Sequence, residues 1–287
     1  TAIGYNALAA HNVDGDGRNT AIGSSAGEDI TSGTKNIAIG KNALATSTTA
    51  LKVVAIGDSA MSATATGNTH EGTIAIGSEA LQNLTTGAGN IAIGVDALKQ
   101  NTTGSRNVVV GSYAFDQSSG AGAVASSDNV AIGNAAMGGD FVDDAASNYN
   151  VAVGGSALSG AMDGGHNNTA VGYQAGTAIT SGDTNALVGY QCGDAITQGY
   201  QNVGVGSNVA FANEATAVNQ IVIGYGATGT ANNEAVIGNA SMDKVYMAQD
   251  ATATVYCAGA MVGLSGTTGS GNIVVNEGIY IAANNGD

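Results

Sequence analysis

The side chains that could do chemistry in this sequence are few and widely separated. His11, His70 and His166 lie far apart along the chain, and a catalytic histidine needs a partner within hydrogen-bond reach. Cys192 and Cys257 are too few for a disulfide framework or a cysteine-rich metal site. Cys192 stands at a repeat position held mostly by alanine, so we predict that it is a small buried hydrophobic residue. We therefore expect no catalytic residues, no metal, no cofactor and no enzymatic activity.

Two acidic segments have the composition of calcium loops. Asp14 and Asp16 alternate with glycine, and carboxylates at alternate positions are typical Ca²⁺ ligands. However, Arg18 stands where a further oxygen ligand is needed, and no terminal glutamate follows. Residues 140–144 contain three more aspartates. We interpret both segments as solvated turns, and leave open a calcium ion shared between chains of an oligomer.

Tyrosines are the one indication of a binding surface. They recur one or two residues after a glycine, at Tyr5, Tyr113, Tyr173, Tyr190 and Tyr225. A stripe of aromatic rings could stack on sugar rings. The alternative, which we favour from the sequence alone, is that these rings pack along the surface with their hydroxyls in water.

An internal repeat determines the elements that position these side chains. The phrase Asn-x-Ala-Ile-Gly recurs, as in Asn36–Gly40 and Asn90–Gly94, and its terminal glycine occurs 14 times. Six of the 13 intervals are 17 residues, and the two longest predict loops at 118–127 and 138–144. The structural positions of the repeat include Gly23, Gly40, Gly57, Gly77, Gly94, Gly111, Gly133, Gly154, Gly172 and Gly189, and Asn19, Asn36, Asn90, Asn107, Asn129, Asn150, Asn168, Asn185 and Asn202.

Each repeat contains a short strand. The three residues before the glycine alternate apolar, alanine, apolar, as in Ile37-Ala38-Ile39, which is the period of a β-strand. We predict that the β-branched residues fill the interior and that the alanine faces outward. A second phrase, Ala43-Leu44 in the same repeat, predicts another strand with these two side chains on opposite faces.

Stacked coils of this kind form a parallel β-solenoid, because one coil cannot bury its apolar face alone. The fold class is thus all-β, with about 14 coils of about 17 residues in a repeat domain over residues 1–242. We expect the recurrent asparagines to bond from coil to coil in a ladder. The ladder cannot be continuous, because Val53, Thr73, Gln220 and Glu234 replace the asparagine. Residues 243–287 retain alternation without the repeat and predict a β-rich cap or connector.

The net charge of the chain disfavours two classes of partner. The net charge is −15, from 22 acidic and 7 basic residues, so nucleic acid and anionic membrane surfaces are disfavoured. No window approaches the roughly 18 apolar residues of a membrane span.

The repeats resemble the head repeats of trimeric autotransporter adhesins, which carry Asn-x-Ala-Ile-Gly-x-x-Ala units. This resemblance covers residues 2–242 and implies a left-handed parallel β-roll and a homotrimer. The added Thr/Ser-Gly turn is similar to the longer repeats of phage tail-fibre shafts, and Asn239–Met247 resembles segments that precede a chaperone domain in those fibres. An outward alanine face would also favour close association of identical rods, although a monomeric solenoid is the alternative.

The resemblance implies a structural fibre or spike segment at a cell surface or virion, outside the cell. Its role would be a rigid trimeric shaft of a phage tail fibre or similar appendage, with a cell-surface receptor or glycan as possible partner. The head of a bacterial adhesin is the second hypothesis. A polysaccharide-degrading tailspike is the third and weakest, because it would need paired carboxylates in a groove and glutamates and aromatic residues are scarce.

Overall fold

The computed structural model describes residues 1–12, 17–63, 70–116, 125–139, 145–243 and 245. The chain divides into two units, Thr1–Met242 and Asp243–Asp287. The predicted cap or connector at 243–287 lies almost wholly outside the described residues, as do Asp14, Asp16, Cys257 and the acidic range 140–144. The first unit carries all the strands described below.

Within the described residues, 14 short strands form one parallel sheet in which each pairs with the next in the sequence. This arrangement confirms the predicted all-β parallel solenoid, with about 13 turns. The single helix of the described residues is a 3₁₀ turn, Glu214–Thr216. The strands are β1 Ala2–Ile3, β2 Thr20–Ile22, β3 Ile37–Ile39, β4 Val54–Ile56, β5 Ile74–Ile76, β6 Ile91–Ile93, β7 Val108–Val110, β8 Val130–Ile132, β9 Val151–Val153, β10 Thr169–Val171, β11 Ala186–Val188, β12 Val203–Val205, β13 Ile221–Ile223 and β14 Ala235–Ile237.

The motif glycines form a column in which successive backbones nearly touch. Gly133 has φ of +136°, a conformation that L side chains rarely adopt. A Cβ placed on Gly133 would lie 2.6 Å from the carbonyl oxygen of Gly154 in the next coil. Only glycine therefore fits this column, and the chain bends there immediately after each strand.

The strands present the opposite faces from those we predicted. The central alanines, such as Ala38 and Ala75, are buried, whereas the flanking Ile37 and Ile93 are 38% and 37% exposed. The interior is narrow and is filled from its far side by large side chains such as Leu81. Because close-packed interiors leave no spare volume, only a small residue fits at the centre of most strands. The prediction that β-branched residues fill the interior was wrong.

The phrase after each glycine forms turns rather than a second strand. Asn42 and Leu44 adopt left-handed backbone with φ of 57° and 51°, so the alternation of a strand is lost. As a result Ala43 and Leu44 both point inward and are fully buried. The prediction that these two side chains lie on opposite faces was therefore also wrong.

In this turn, the large side chain that fills the core can come from either of two positions three residues apart. Where the first position holds a large side chain, as at Leu44, the second is small, as at Ser47; both are buried. Where the first is Gly176, the second is the buried Ile179, whose Cδ1 would lie 3.1 Å from a Cβ on that glycine. In these coils one large side chain comes from one position or the other. Leu81 with Leu84 is an exception in which both are large, and Ala210 with Asn213 is an exception in which neither is.

The predicted asparagine ladder is present in two segments. In each step the side-chain oxygen of one asparagine accepts bonds from the next coil, as when Asn107 Oδ1 accepts from the backbone N of Asn129 and from its Nδ2, both at 3.1 Å. The short segment joins Asn19 and Asn36, and the long one runs from Asn90 to Asn202. Between them, at Val53 and Thr73, the chain has no amide to continue the ladder.

Asn129→Ala tests the ladder at the middle of its long segment. Asn129 Oδ1 accepts from the backbone N of Asn150 at 2.9 Å, and its Nδ2 donates to the carbonyl of Ser147 at 2.9 Å. Both partners are buried, and leaving such groups unpaired costs about 1–3 kcal/mol each. We expect a loss of about 2–6 kcal/mol in unfolding free energy, measured by urea denaturation, and faster hydrogen exchange at the Asn150 amide.

Asn134→Ala is the matched control, because Asn134 is exposed and its Nδ2 donates to the carbonyl of Ser112 at 3.1 Å. We expect a change below about 1 kcal/mol. Equal destabilisation by both substitutions would show that the ladder contributes nothing special to the stability of the rod.

Candidate functional site

The candidate site is the outward face of the sheet, which we call the apolar face. It consists of the first and last residues of the strands. The last position is isoleucine or valine in every strand, and its most exposed members have between 37% and 58% of their surface accessible. These last residues are Ile3, Ile22, Ile39, Ile56, Ile76, Ile93, Val110, Ile132, Val153, Val171, Val188, Val205, Ile223 and Ile237.

The apolar face is long, flat and uncharged. At about 4.8 Å per stacked strand it is roughly 60 Å long, and strands of three residues make it about 10 Å wide, or roughly 600 Å². Its first and last strand positions are apolar except for Thr20 and Thr169. An apolar patch of about 300–600 Å² is the largest found on a typical soluble monomer, and larger ones mark interaction surfaces. At roughly 600 Å² the face is at the upper end of this range, where exposed apolar patches are often functional.

Charged residues border the apolar face. A column of turn residues just before the strands includes Lys52, which bonds Glu71 at 2.5 Å, and Arg106. Arg106 donates to both carboxylate oxygens of Asp128, at 2.6 and 2.7 Å. This hydrogen-bonded guanidinium lowers the pKa of the Asp128 carboxyl. An uncharged centre with a charged rim is the usual anatomy of a protein interface.

The histidines make structural contacts in separate coils. His11 Nε2 lies 2.9 Å from Asn19 Nδ2 and accepts its hydrogen bond. His166 Nδ1 accepts from the backbone N of Asn148 at 3.1 Å, and His70 is buried. Over the described ranges, no group of three or more His, Cys, Asp or Glu residues is arranged to hold a metal ion. The acidic segments considered as calcium loops fall outside those ranges.

Two carboxylates on neighbouring coils share one lysine. Lys99 Nζ contacts Glu79 Oε2 and lies 3.2 Å from Asp96 Oδ1. The hydrogen bond that Lys99 donates to Glu79, aided by Asp96, raises the pKa of Lys99, and partial burial opposes this shift. The group is an ion-paired cluster at the surface.

Cys192 is fully buried in the repeat position predicted for it, which confirms its interpretation as a small core residue. Burial raises the pKa of the Cys192 thiol to about 11. Since the thiolate is the reactive form, both steric access and charge state protect this thiol in the folded chain.

Cys192 should report on unfolding of the rod. In a Cys257→Ser background, we expect a disulfide reagent such as DTNB to leave Cys192 unmodified at pH 8 in buffer. It should react fully in denaturant, where the pKa returns to about 8.5. Complete modification of the folded protein within minutes would contradict the buried position.

The predicted tyrosine stripe is exposed but discontinuous. Tyr5, Tyr113, Tyr173, Tyr190 and Tyr225 are between 48% and 77% exposed. Tyr173 and Tyr190 stack on successive coils with ring centroids 5.7 Å apart and planes inclined by 14°. Beside them, Gln191 Nε2 donates to Gln174 Oε1 at 2.8 Å.

The repeat is evident in the sequence, but its exposed apolar surface lies on the opposite face of the strands from the one we predicted. The available signal was side-chain size: the strand centre is Ala or Gly in ten of the 14 strands, while the last strand position is always Ile or Val. A narrow interior admits the small residue, so the invariant large position is the outer one.

No protein-family model matches the chain, and a comparison with curated proteins finds no match. The resemblance to adhesin and fibre repeats therefore depends on the sequence motif alone, and the parallel solenoid fold is compatible with it. In the parts of the chain that the structure describes, no helix has the length and apolar character needed to cross a membrane.

Proposed function

We propose that this chain is a segment of a rigid extracellular fibre or spike in which three copies pack their apolar faces around a common axis. The observation that carries this proposal is the exposed, uncharged stripe of isoleucine and valine along the outer side of the sheet. Packing against two neighbours would remove it from water, at about 25 cal/mol for each Å² of apolar surface.

The rod shape and its internal bonding support a mechanical role. Fourteen strands in one continuous parallel sheet give an elongated body whose coils are tied by backbone and asparagine bonds. The number three comes from the resemblance to trimeric adhesin and fibre repeats. Of those two relatives, the 17-residue spacing with its Thr/Ser-Gly turn favours the shaft of a phage tail fibre or a similar appendage over an adhesin head.

We also propose that the segment performs no catalysis. What supports this is the distribution of its buried polar side chains, which recur from coil to coil as ladder asparagines rather than concentrate in one cluster. Its partners would be its own copies and a cell-surface receptor or glycan, at a cell surface or on a virion.

Charge placed on the apolar face should separate the copies. Ile93 and Ile132 are 37% and 39% exposed in the single chain, so aspartate at these positions is tolerated by the fold but not by an interface. We expect wild-type protein to have three times the chain mass by light scattering with size-exclusion chromatography. The Ile93→Asp, Ile132→Asp double variant should elute as a monomer with an unchanged β-rich circular dichroism spectrum.

The matched control is the Thr86→Asp, Thr103→Asp double variant, which adds the same charge at exposed turn residues of neighbouring coils. It should remain trimeric. A wild-type protein of single-chain mass, or an Ile93→Asp, Ile132→Asp variant that stays assembled, would refute packing through the apolar face.

A further inference from the structure

A gap interrupts the tyrosine column between Tyr190 and Tyr225. The residue after the motif glycine in the intervening coil is Ser207. Backbone bonds place the three residues in one column, since Asn208 N donates to Tyr190 O at 2.8 Å and Gly226 N donates to Ser207 O at 2.9 Å. The two exposed tyrosines therefore flank one small residue. We call the gap above Ser207 the tyrosine slot.

The slot has the height of one ring held between two others. Two rungs of a parallel stack separate the backbones of Tyr190 and Tyr225 by about 9.6 Å. Ring centroids one coil apart in this column are 5.7 Å apart at Tyr173 and Tyr190, so a ring held between Tyr190 and Tyr225 would lie roughly 5–6 Å from each, within the roughly 4.5–7 Å range over which aromatic rings attract one another. A puckered pyranose is thicker than a flat aromatic ring because of its axial hydrogens, and it fills this height better.

One face of the Tyr190 ring packs against Tyr173, so that the other face remains for a ligand. Its ring stacks on Tyr173 at 5.7 Å. Tyr173 in turn covers Gly155, where an added Cβ would lie 3.3 Å from the ring atom Cδ2. On the other side of the slot the surface is open, because a Cβ on Gly226 would have no atom within 4 Å.

The polar groups around the slot suit hydroxyls. Asn208 is exposed, and within the described part of the chain its side chain makes no hydrogen bond to another residue. Ser207 contributes a hydroxyl at the base, and the Gln191 amide, which is bonded to Gln174 at 2.8 Å, lies next to Tyr190. Amides and hydroxyls both donate and accept, as sugar hydroxyls do, and the residues named here are uncharged.

We propose that the tyrosine slot binds one pyranose unit of a neutral polysaccharide. The net charge of −15 disfavours acidic polysaccharides by long-range repulsion. The biological use of such a site rests on the proposed surface role. Binding itself does not, because the slot is formed within one chain.

The test uses the whole chain and three neutral probes: maltotriose, cellotriose and triacetylchitotriose. Saturation-transfer difference NMR should show contact between the ring protons of at least one probe and the protein. Tyr190→Ala removes one wall, and Ser207→Tyr fills the slot by continuing the column. Each should weaken binding about tenfold or more, as expected for loss of an aromatic stacking partner.

Tyr149→Ala is the control, since Tyr149 is 60% exposed but lies in the turn before a strand. It should bind like the wild type, and light scattering on every variant keeps the oligomeric state as a separate readout. The proposal is overturned if no probe binds, or if Ser207→Tyr binds as tightly as the wild type. It is also overturned if the slot substitutions only change oligomer mass, which would make the slot a contact between copies.

Discussion

The close approach of successive backbones at the motif glycines is the constraint on which the rest of the structure depends. At Gly133 a single added carbon would meet the carbonyl of Gly154 at 2.6 Å. This contact fixes the rise and register of each coil on the next, and every other column follows from it. The strands, the ladder asparagines and the core side chains recur at equivalent positions in successive coils because the glycines do.

That dependence explains what the sequence allowed us to predict. The 14 glycines and the strands before them could be located from the repeat, because a fixed spacing of backbone requirements leaves few alternatives. The asparagine ladder, including its break at Val53 and Thr73, and the burial of Cys192 were also predictable. In each case one residue type occupies one structural position, so that local chemistry determines the outcome.

Which face of each strand points into the core could not be predicted from the repeat in the same way. Period-two alternation shows that Ile37 and Ile39 share a face, but not whether that face is inside. The answer depends on how much interior volume Leu44 and its equivalents take from the far side of the coil, and they point inward because residue 44 has left-handed backbone. The tyrosine slot could not be predicted for a related reason. It forms because Ser207 is small and lies between two tyrosines, which become neighbours only when three coils are stacked.

The break in the asparagine ladder has a mechanical consequence. Asn36 Oδ1 still accepts from the backbone N of Val53 at 3.0 Å, but Val53 and Thr73 have no side-chain amide to carry the ladder on to Asn90. In the same stretch the hydroxyls of Ser47, Thr49 and Thr73 are buried without a hydrogen-bond partner in the described structure. In a quasi-one-dimensional stack each coil contacts only its two neighbours, so a weaker coil is supported by those two alone. Under tension or bending, we expect this stretch to yield first and to act as a compliant joint in an otherwise stiff solenoid.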